Sequence, residues 1–366
     1  LALTGERLRK YADIARFLIR YGRSDLVTKA GLEEFPDEKA LAPDLPSDEL
    51  AKRFVCDLEK LGPTYIKVGQ LLSTRADLLP APFLDALARL QDDVAPFPFA
   101  EVEQTVTAEL GVRLSKAFSR FDVEPLAAAS LGQVHRAAMR DGREVVVKVQ
   151  RPGIRAKVVS DLEILEELAE LADAHTESGR KYGYGRIVEE FRKTLLHELD
   201  YRQEARNLKT LGANLAEFEH IVVPQPVDDY TTALVLTSEY IEGEKITEIG
   251  PLGKLDLESH ELADELFAAF LHQVLIDGFV HADPHPGNVL LTEDGRIALI
   301  DLGMVARVSP GLQESLLQML LAISEGRGDE AASVAIRIGE AGPDFDERAF
   351  RRQVGELVVE NRDSKV

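Results

Sequence analysis

The sequence predicts an α+β fold that is mostly helical, with a helical N-terminal extension, a small sheet-bearing lobe and a helical second lobe. Three observations predict it. Apolar residues recur at helical spacing through the first part of the chain. Residues from about Val123 to Gln150 instead alternate in the manner of strands, around an Asp141-Gly142 hairpin turn. The 366 residues, 45% of them hydrophobic, suffice for two lobes or two modest domains, and no low-complexity tract interrupts them.

The first helix spans about Glu6 to Arg23. An apolar face of Leu8, Tyr11, Ala15, Leu18 and Ile19 alternates there with Arg7, Arg9, Lys10, Arg16, Arg20 and Arg23. Such a basic helix either lies on an anionic membrane or packs on the body with its arginines solvated. A loop rich in proline and acidic residues, Glu33 to Pro46, leads to a helix from about Ser47 to Leu61 with Ser47 as N-cap. Gly62-Pro63 breaks that helix, and Thr64 to Ala76 resumes the pattern. Pro80, Pro82, Pro96 and Pro98 mark further boundaries.

After the strand block come two long helices, about Arg155 to Ala174 and Arg186 to Leu211. Short strands are expected around Ile221 and from Ala233 to Glu239, then a helix from about Leu257 to Asp277. A loop with two short strands covers His281 to Ile300, and helices finish the chain from about Pro310. The expected domains are 1–110, 111–240 and 241–366.

The net charge of −21 speaks against nucleic acid as a partner, since phosphate backbones need Lys/Arg surfaces. Cys56 is the single cysteine, which excludes an internal disulfide and a Cys-rich zinc cluster and fits a reducing compartment. No run of about 18 apolar residues suggests a membrane span, and no secretory signal opens the chain. The chain begins at Leu1 rather than Met and stops at Val366 shortly after a helical pattern, so a longer natural protein is expected. The expected location is cytoplasmic, peripheral to or anchored in a membrane through segments outside these ends.

The chemistry concentrates in His281-Ala282-Asp283-Pro284-His285-Pro286-Gly287-Asn288. An Asp and an Asn five residues apart, then a short apolar strand and a second Asp (Asp301), form a recurrent layout for phosphoryl transfer. Asp283 can position or deprotonate an acceptor, while Asn288 and Asp301 supply hard oxygen ligands for Mg2+ on nucleotide phosphates. Upstream, Ala127, Ala128, Ala129, Ser130, Leu131, Gly132, Gln133 and Val134 overlay the frame G-x-G-x-x-G-x-V with only Gly132 kept of its three glycines. Alanine resists positive φ and adds a methyl group, so this loop should be stiffer and sit differently over phosphates. Lys148 stands within Val145-Val146-Val147-Lys148-Val149, where pairing with phosphates and a helical carboxylate gives a strand lysine its reason. Each piece alone is weak: Asp-Leu-Gly has little meaning by itself, and a strand lysine usually points to solvent. Their joint order and separation carry the reading.

The sequence resembles the UbiB (aarF-domain) family of atypical kinases from about Leu61 to Arg307. The resemblance stands on Lys67-Val68-Gly69-Gln70 (K-x-G-Q), the alanine-rich loop, Glu198-Leu199-Asp200 (E-x-D), the loop His281 to Asn288 and Asp301-Leu302-Gly303. It implies a bilobal protein-kinase-like fold whose N-terminal extension carries Lys67 and Gln70 over the active site, held by Glu198 and Asp200. It further implies ATP or ADP with Mg2+ as cofactors. Asp283, Lys148 and Glu204 are its catalytic set, with Glu204 preferred to Glu198 as the carboxylate partner of Lys148 and placed on the same helix. Ala127, Ala128, Ala129, Ser130, Gly132, Val134 and Lys148 line the nucleotide, and Glu239 and Ile241 bond the adenine. Asn288 and Asp301 hold the metal. The implied role lies in isoprenoid-quinone biosynthesis or membrane lipid metabolism, with a small-molecule or lipid-like acceptor. The implied partners are quinone-biosynthesis proteins and an anionic membrane surface.

Only Met304 to Val308 separate Gly303 from Ser309-Pro310, a helix start, so there is little room for a peptide-binding platform. Ala282 stands where an arginine usually precedes the catalytic Asp, which removes the partner for control by loop phosphorylation. Both disfavour phosphorylation of proteins in trans. The rival readings are a protein kinase proper and a nucleotide-binding scaffold without turnover. His281-x-Asp283-x-His285 also resembles a metal-hydrolase cluster, against which His281 is expected to pack and brace its loop.

Overall fold

A computed structural model of the chain describes residues 5–21, 47–73, 75, 78–90, 94–248, 259–339 and 345–361. The expected loop 33–46, residues 22–23, the end of the helix expected to reach 76, and the start of the helix expected at 257 lie outside them.

Helix α1 (Gly5–Tyr21) is amphipathic, and it buries Ile14 and Tyr21 with Tyr11 and Phe17 partly covered. They pack on Leu50, Phe54 and Leu58 of α2 (Ser47–Leu61) and on Phe83 and Leu87 of α4 (Ala81–Leu87). Tyr21 and Phe54 meet edge to face at 5.1 Å, and Phe54 meets Phe83 at 5.5 Å, geometries that aromatic quadrupoles favour. Three of its basic residues make ion pairs: Lys10 with Asp161 at 2.5 Å, Arg16 with Asp13 at 2.8 Å and Arg20 with Asp57 at 2.6 Å. This is the packed alternative of the two readings of α1. Of its expected apolar face, the side chains of residues 8, 15, 18 and 19 lie outside the described ones. Gly62, at φ +111°, separates α2 from α3 (Pro63–Ser73), as the Gly-Pro pair predicts.

Helix α5 (Phe99–Leu110) and the short α6 (Leu114–Ala117) lead into an antiparallel sheet. Its strands are β1 (Phe118–Phe121), β2 (Ala127–Ala128), β3 (Gly132–Met139), β4 (Glu144–Gln150) and β6 (Val235–Glu239), in the order β1-β3-β4-β6 with β2 also on β3. The valine run of β4 favours a pleated strand because branched side chains pack well there. Ala137, Val145, Val147, Val149 and Val235 form one face, buried against Val102 and Val106 of α5. The Asp141-Gly142 turn is present, with Gly142 N–H donating to the Met139 carbonyl at 3.1 Å. Strand β1 precedes the expected strand block, and its Phe118 and Phe121 join the same core.

Between β4 and β6 lie α7 (Ile154–His175), α8 (Glu177–Tyr182), α9 (Tyr184–Glu198) and α10 (Tyr201–Asn214). The single helix expected from Arg186 to Leu211 is therefore two, and Glu198 and Glu204 stand on different helices. Leu199 is fully buried and ends α9, its N–H donating to the Leu195 carbonyl at 3.1 Å. The Asp200 carboxylate accepts the Arg202 N–H at 3.2 Å, a bond that favours a helix start. Both flanking segments are amphipathic, so their periodicity runs through a break that capping and burial impose.

The chain divides into two units, Leu1–Gln203 with Pro226–Tyr240, and Glu204–Gln225 with Ile241–Val366. The N-terminal helices thus share a unit with the five-stranded sheet. The second unit holds a sheet in the order β5-β10-β9-β7, from β5 (Ile221–Val222), β7 (Gly243–Lys245), β9 (Val289–Thr292) and β10 (Ile297–Leu299). A separate ladder joins β8 (Phe279–His281) to β11 (Val305–Arg307), while α11 (Ser259–His272) runs into a π-helical turn, Gln273–Asp277. Helices α12 (Pro310–Ser324), α13 (Gly328–Ile338) and α14 (Glu347–Asn361) follow. Ser309 caps α12 by accepting the Leu312 N–H, with Pro310 in the first turn as the sequence predicts. Helix accounts for 59% and strand for 15% of the structure, which makes the fold α+β and mostly helical.

Candidate functional site

In the first unit, sheet register gathers several of the expected residues on one face. Ala127 lies opposite Val134, Val134 opposite Lys148, and Lys148 opposite Leu236. Directly opposed residues share a face, so Ala127, Val134 and Lys148 form one row. On this face Ala127 is exposed, Val134 and Lys148 are half-buried and Leu236 is buried, whereas the valine face behind it is core. Lys148 Nζ stands 5.3 Å from the centroid of the Tyr201 ring, within cation–π range.

The alanine loop is closed by backbone bonds from Leu126 N–H to Val134 and from Ala129 N–H to Gly132, each at 2.7 Å. Ser130 is fully buried and Leu131 is 5% exposed. Gly132 cannot carry a side chain, because a Cβ would lie 2.6 Å from both the Val149 carbonyl oxygen and the Tyr201 hydroxyl. Its φ is not positive, so this glycine is kept for closeness rather than for an unusual turn.

Lys67 lies on α3, and its Nζ meets Glu198 at the end of α9 at 2.7 Å, with both side chains about 15% exposed or less. Gly69 lets α3 approach its neighbours, since a Cβ there would fall 2.6 Å from methyls of Leu58 and Leu90. Gln70 makes a long 3.5 Å contact to the Leu90 carbonyl. Asp200 binds Arg202 at 2.8 Å and shapes the start of α10. Glu239 ends β6 opposite Val145, and the next residue, Tyr240, donates its N–H to the Glu144 carbonyl at 3.1 Å. Ile241 follows as the first residue of its segment of the second unit and is half-buried. A separate groove of about 600 Å³ in the first unit, lined among others by Thr105, Arg155, Val159 and Glu163, contains none of the residues named for chemistry.

In the second unit, Asp283 and Asn288 belong to one closed loop. Asn288 Nδ2 donates to the Asp283 carbonyl at 3.2 Å, and the Asn288 N–H donates to the His285 carbonyl at 2.7 Å. The Ile300 N–H donates to the Asn288 carbonyl at 2.9 Å, which ties the loop to the residue preceding Asp301. Asp301 takes φ +57°, the one non-glycine positive φ among the described residues, and its carboxylate accepts the Gly303 N–H at 3.2 Å. Leu302 is fully buried and anchors this turn.

His281 is 1% exposed and braces the loop: its Nδ1 accepts the Asp283 N–H at 3.4 Å, and its own N–H donates to Gln273 at 2.9 Å. Burial pushes its imidazole below the ordinary histidine range, against the pull of Asp283 and Asp301. The His285 ring accepts the Gly287 N–H at 3.1 Å. Both histidines thus use Nδ1 on backbone, which does not suit the metal-hydrolase alternative. The Asn288 side-chain oxygen Oδ1 and the Asp301 carboxylate could supply the hard oxygen ligands that magnesium takes when phosphates and water complete its shell.

Glu204 is 6% exposed on α10. Three residues further along that helix, Asn207 donates to the Leu302 carbonyl at 2.8 Å. Sequence reasoning missed Asn207; its signal is an amide on the same helical face as Glu204. It also missed Tyr201, whose ring lies 5.3 Å from Lys148 Nζ.

A model of the ABC1 atypical kinase-like domain matches residues 89–335. The chain is 41% identical over 307 residues to the protein named activity of bc1 complex kinase 8, chloroplastic, of Arabidopsis thaliana, covering 83% of this chain and 40% of that protein. It is 38% identical over 300 residues to a probable protein kinase UbiB of Aliivibrio fischeri, covering 80% of this chain and 55% of that one. The chain thus spans about half the length of the curated relatives it matches. Among solved structures, the Rv3197–erythromycin complex from Mycobacterium tuberculosis aligns with TM-score 0.60 at 29% identity, covering 85% of this chain and 79% of that one.

Proposed function

The chain belongs to the ABC1 atypical kinase-like family, and from that premise we propose that it binds a magnesium nucleotide and transfers or hydrolyses its terminal phosphoryl group. The observation that carries this reading is the Asp283–Asn288 loop tied by backbone hydrogen bonds to the left-handed Asp301 turn, because it would bring a base and two hard ligands together from one connected segment. Magnesium bound to the nucleotide would supply charge neutralisation on the phosphate oxygens, held by Asn288 and Asp301. Asp283 would orient the acceptor or water and take its proton. Lys148 and Glu204 keep the catalytic roles that the resemblance gives them, and Glu239 and Ile241 keep those at the adenine. Engagement of Glu198 by Lys67 supports Glu204 as the carboxylate of that set.

The acceptor in this reading is a small or lipid-like molecule in isoprenoid-quinone or membrane lipid metabolism, at a membrane surface or among quinone-biosynthesis proteins. Two things support it: relatives named as UbiB and as bc1 complex kinase, and the short segment after Gly303. That segment pairs as β11 with β8, with Val305 opposite His281, and α12 starts at Pro310, which supports the expectation of little room for a peptide platform. Among the described residues, no helix is long and apolar enough to cross a membrane.

The test is a thermal shift with ATP and ADP, with and without magnesium, on the wild type and Asp301→Asn. A ligand at about 100 times its Kd adds roughly 2.7 kcal/mol, a readily measured shift. Magnesium-dependent stabilisation in the wild type, lost in the variant, is the expected result. No shift with either nucleotide in the wild type would remove the reading.

A further inference from the structure

We propose that Arg136 and Tyr240 are positioning residues for the base of the nucleotide: the Arg136 guanidinium, stacked on the Tyr240 ring, pins the backbone at the end of β6 where the Glu239 carbonyl meets adenine. The inference rests on the nucleotide reading above, names what holds the base subsite of that reading, and concerns residues of the first unit alone.

Sheet register places this stack. Side chains of a strand share a face every second residue, so the face that carries Val134 and Lys148 continues through Arg136 on β3 and through Val146 and Glu144 on β4. Arg136 lies opposite Val146, and Val146 lies opposite Ser238 of β6. The row of Arg136 is thus the next on this face after the row of Lys148, toward the end of β6. Glu144 stands four residues before Lys148, about 13 Å along the strand. That span is comparable with the distance from phosphates to base in an extended nucleotide. A nucleotide with its phosphates at Lys148 would have its base near this end of the face.

The backbone there has a defined direction. Glu239 lies opposite Val145, and the Tyr240 N–H donates to the Glu144 carbonyl at 3.1 Å. This bond makes Glu239–Val145 a non-hydrogen-bonded pair, whose backbone groups point away from each other. The Glu239 carbonyl is therefore turned away from β4, to the side where a base could meet it. Past this pair the ladder ends, and the next hold on the chain is the Tyr240 side chain.

The Arg136 Cζ stands 4.2 Å from the centroid of the Tyr240 ring, a close cation–π contact. Arg136 is itself oriented: its Nε donates to Glu144 at 2.9 Å, and Glu144 also receives Arg120 at 2.6 Å. Glu144 thus holds Tyr240 twice, through its carbonyl on the N–H and through Arg136 on the ring. A guanidinium suits this place because its planar fork can bond a carboxylate and stack on a ring at once. Arg136 keeps 30% exposure, so its ion pair contributes little to the fold and its removal should be felt at the base.

The experiment measures Kd for Mg-ATP and, by displacement, Ki for magnesium tripolyphosphate, which has no base. The variants are Tyr240→Leu, Tyr240→Phe, Arg136→Gln, the Tyr240→Leu/Arg136→Gln pair and Arg120→Gln. Tyr240→Leu and Arg136→Gln are each expected to weaken Mg-ATP about three- to fivefold while tripolyphosphate stays within about 1.5-fold of wild type. The pair should lose no more than about the larger single change, because both remove one stack. Tyr240→Phe keeps the ring and Arg120→Gln keeps the stack, so both should bind Mg-ATP within about 1.5-fold of wild type. Unchanged Mg-ATP affinity in Tyr240→Leu or Arg136→Gln, or an equal weakening of tripolyphosphate, overturns the proposal and leaves nucleotide binding standing. A wild type that binds no nucleotide overturns both.

Discussion

Asp301 shows how one residue can serve chemistry at the expense of conformation. Its positive φ is unfavourable for an L-residue, though Asp tolerates it better than most because its short side chain bonds locally, here to the Gly303 N–H. The sequence signals this turn by the glycine of Asp-Leu-Gly, yet the strained position is the Asp itself. Asp301→Gly should be more stable than Asp301→Ala by about 1 kcal/mol in urea denaturation, since glycine accepts the backbone. Both should lose magnesium-dependent nucleotide stabilisation. Retention of that stabilisation in either variant would take Asp301 out of the metal set. Gly132 was also legible as a kept glycine, but its reason was not. The sequence shows only its place in the phosphate-loop frame, and the structural reason is the close approach of Val149 and Tyr201.

Among elements, the decisive joint holds α1 and α3 on α7. Asp161 of α7 is fully buried and receives Lys10 of α1 at 2.5 Å and the Thr64 hydroxyl of α3 at 2.7 Å. A buried carboxylate without its cation is costly, whereas replacing both partners by apolar groups is often neutral. Lys10→Ala should therefore cost about 2–3 kcal/mol, reduced from the fully buried case because Lys10 keeps 28% exposure. Lys10→Met combined with Asp161→Leu should recover most of that loss. Equal loss in single and double variants, measured by chemical denaturation, would show that the pair is not what holds α1. From sequence Lys10 was one of several basic residues on an amphipathic helix, and Asp161 drew no notice. Their meeting spans 151 residues, which periodicity cannot report. The break between α9 and α10 was hidden for the related reason that two amphipathic segments read as one.

For the whole molecule, the net charge of −21 is the dominant long-range term. Self-repulsion of this size opposes compaction and is screened within about 8–10 Å at physiological salt. Tm should therefore rise as sodium chloride goes from about 10 mM to about 150 mM. A falling Tm would mean that surface ion pairs such as Arg120–Glu144 outweigh the repulsion. Composition determined this charge, and sequence alone also determined the fold class, the hairpin at Asp141-Gly142, the Gly62-Pro63 break, the Ser309 cap and the family motifs. Those features are local, or lie in fixed linear order, so residue type and spacing suffice to define them. The engagement of Lys67 by Glu198, the stack of Arg136 on Tyr240, the row of Ala127, Val134 and Lys148, and the hold of Asn207 on Leu302 were decided only by tertiary structure. Each depends on register or packing between segments distant along the chain, where many partners satisfy the local pattern equally and only close packing selects one.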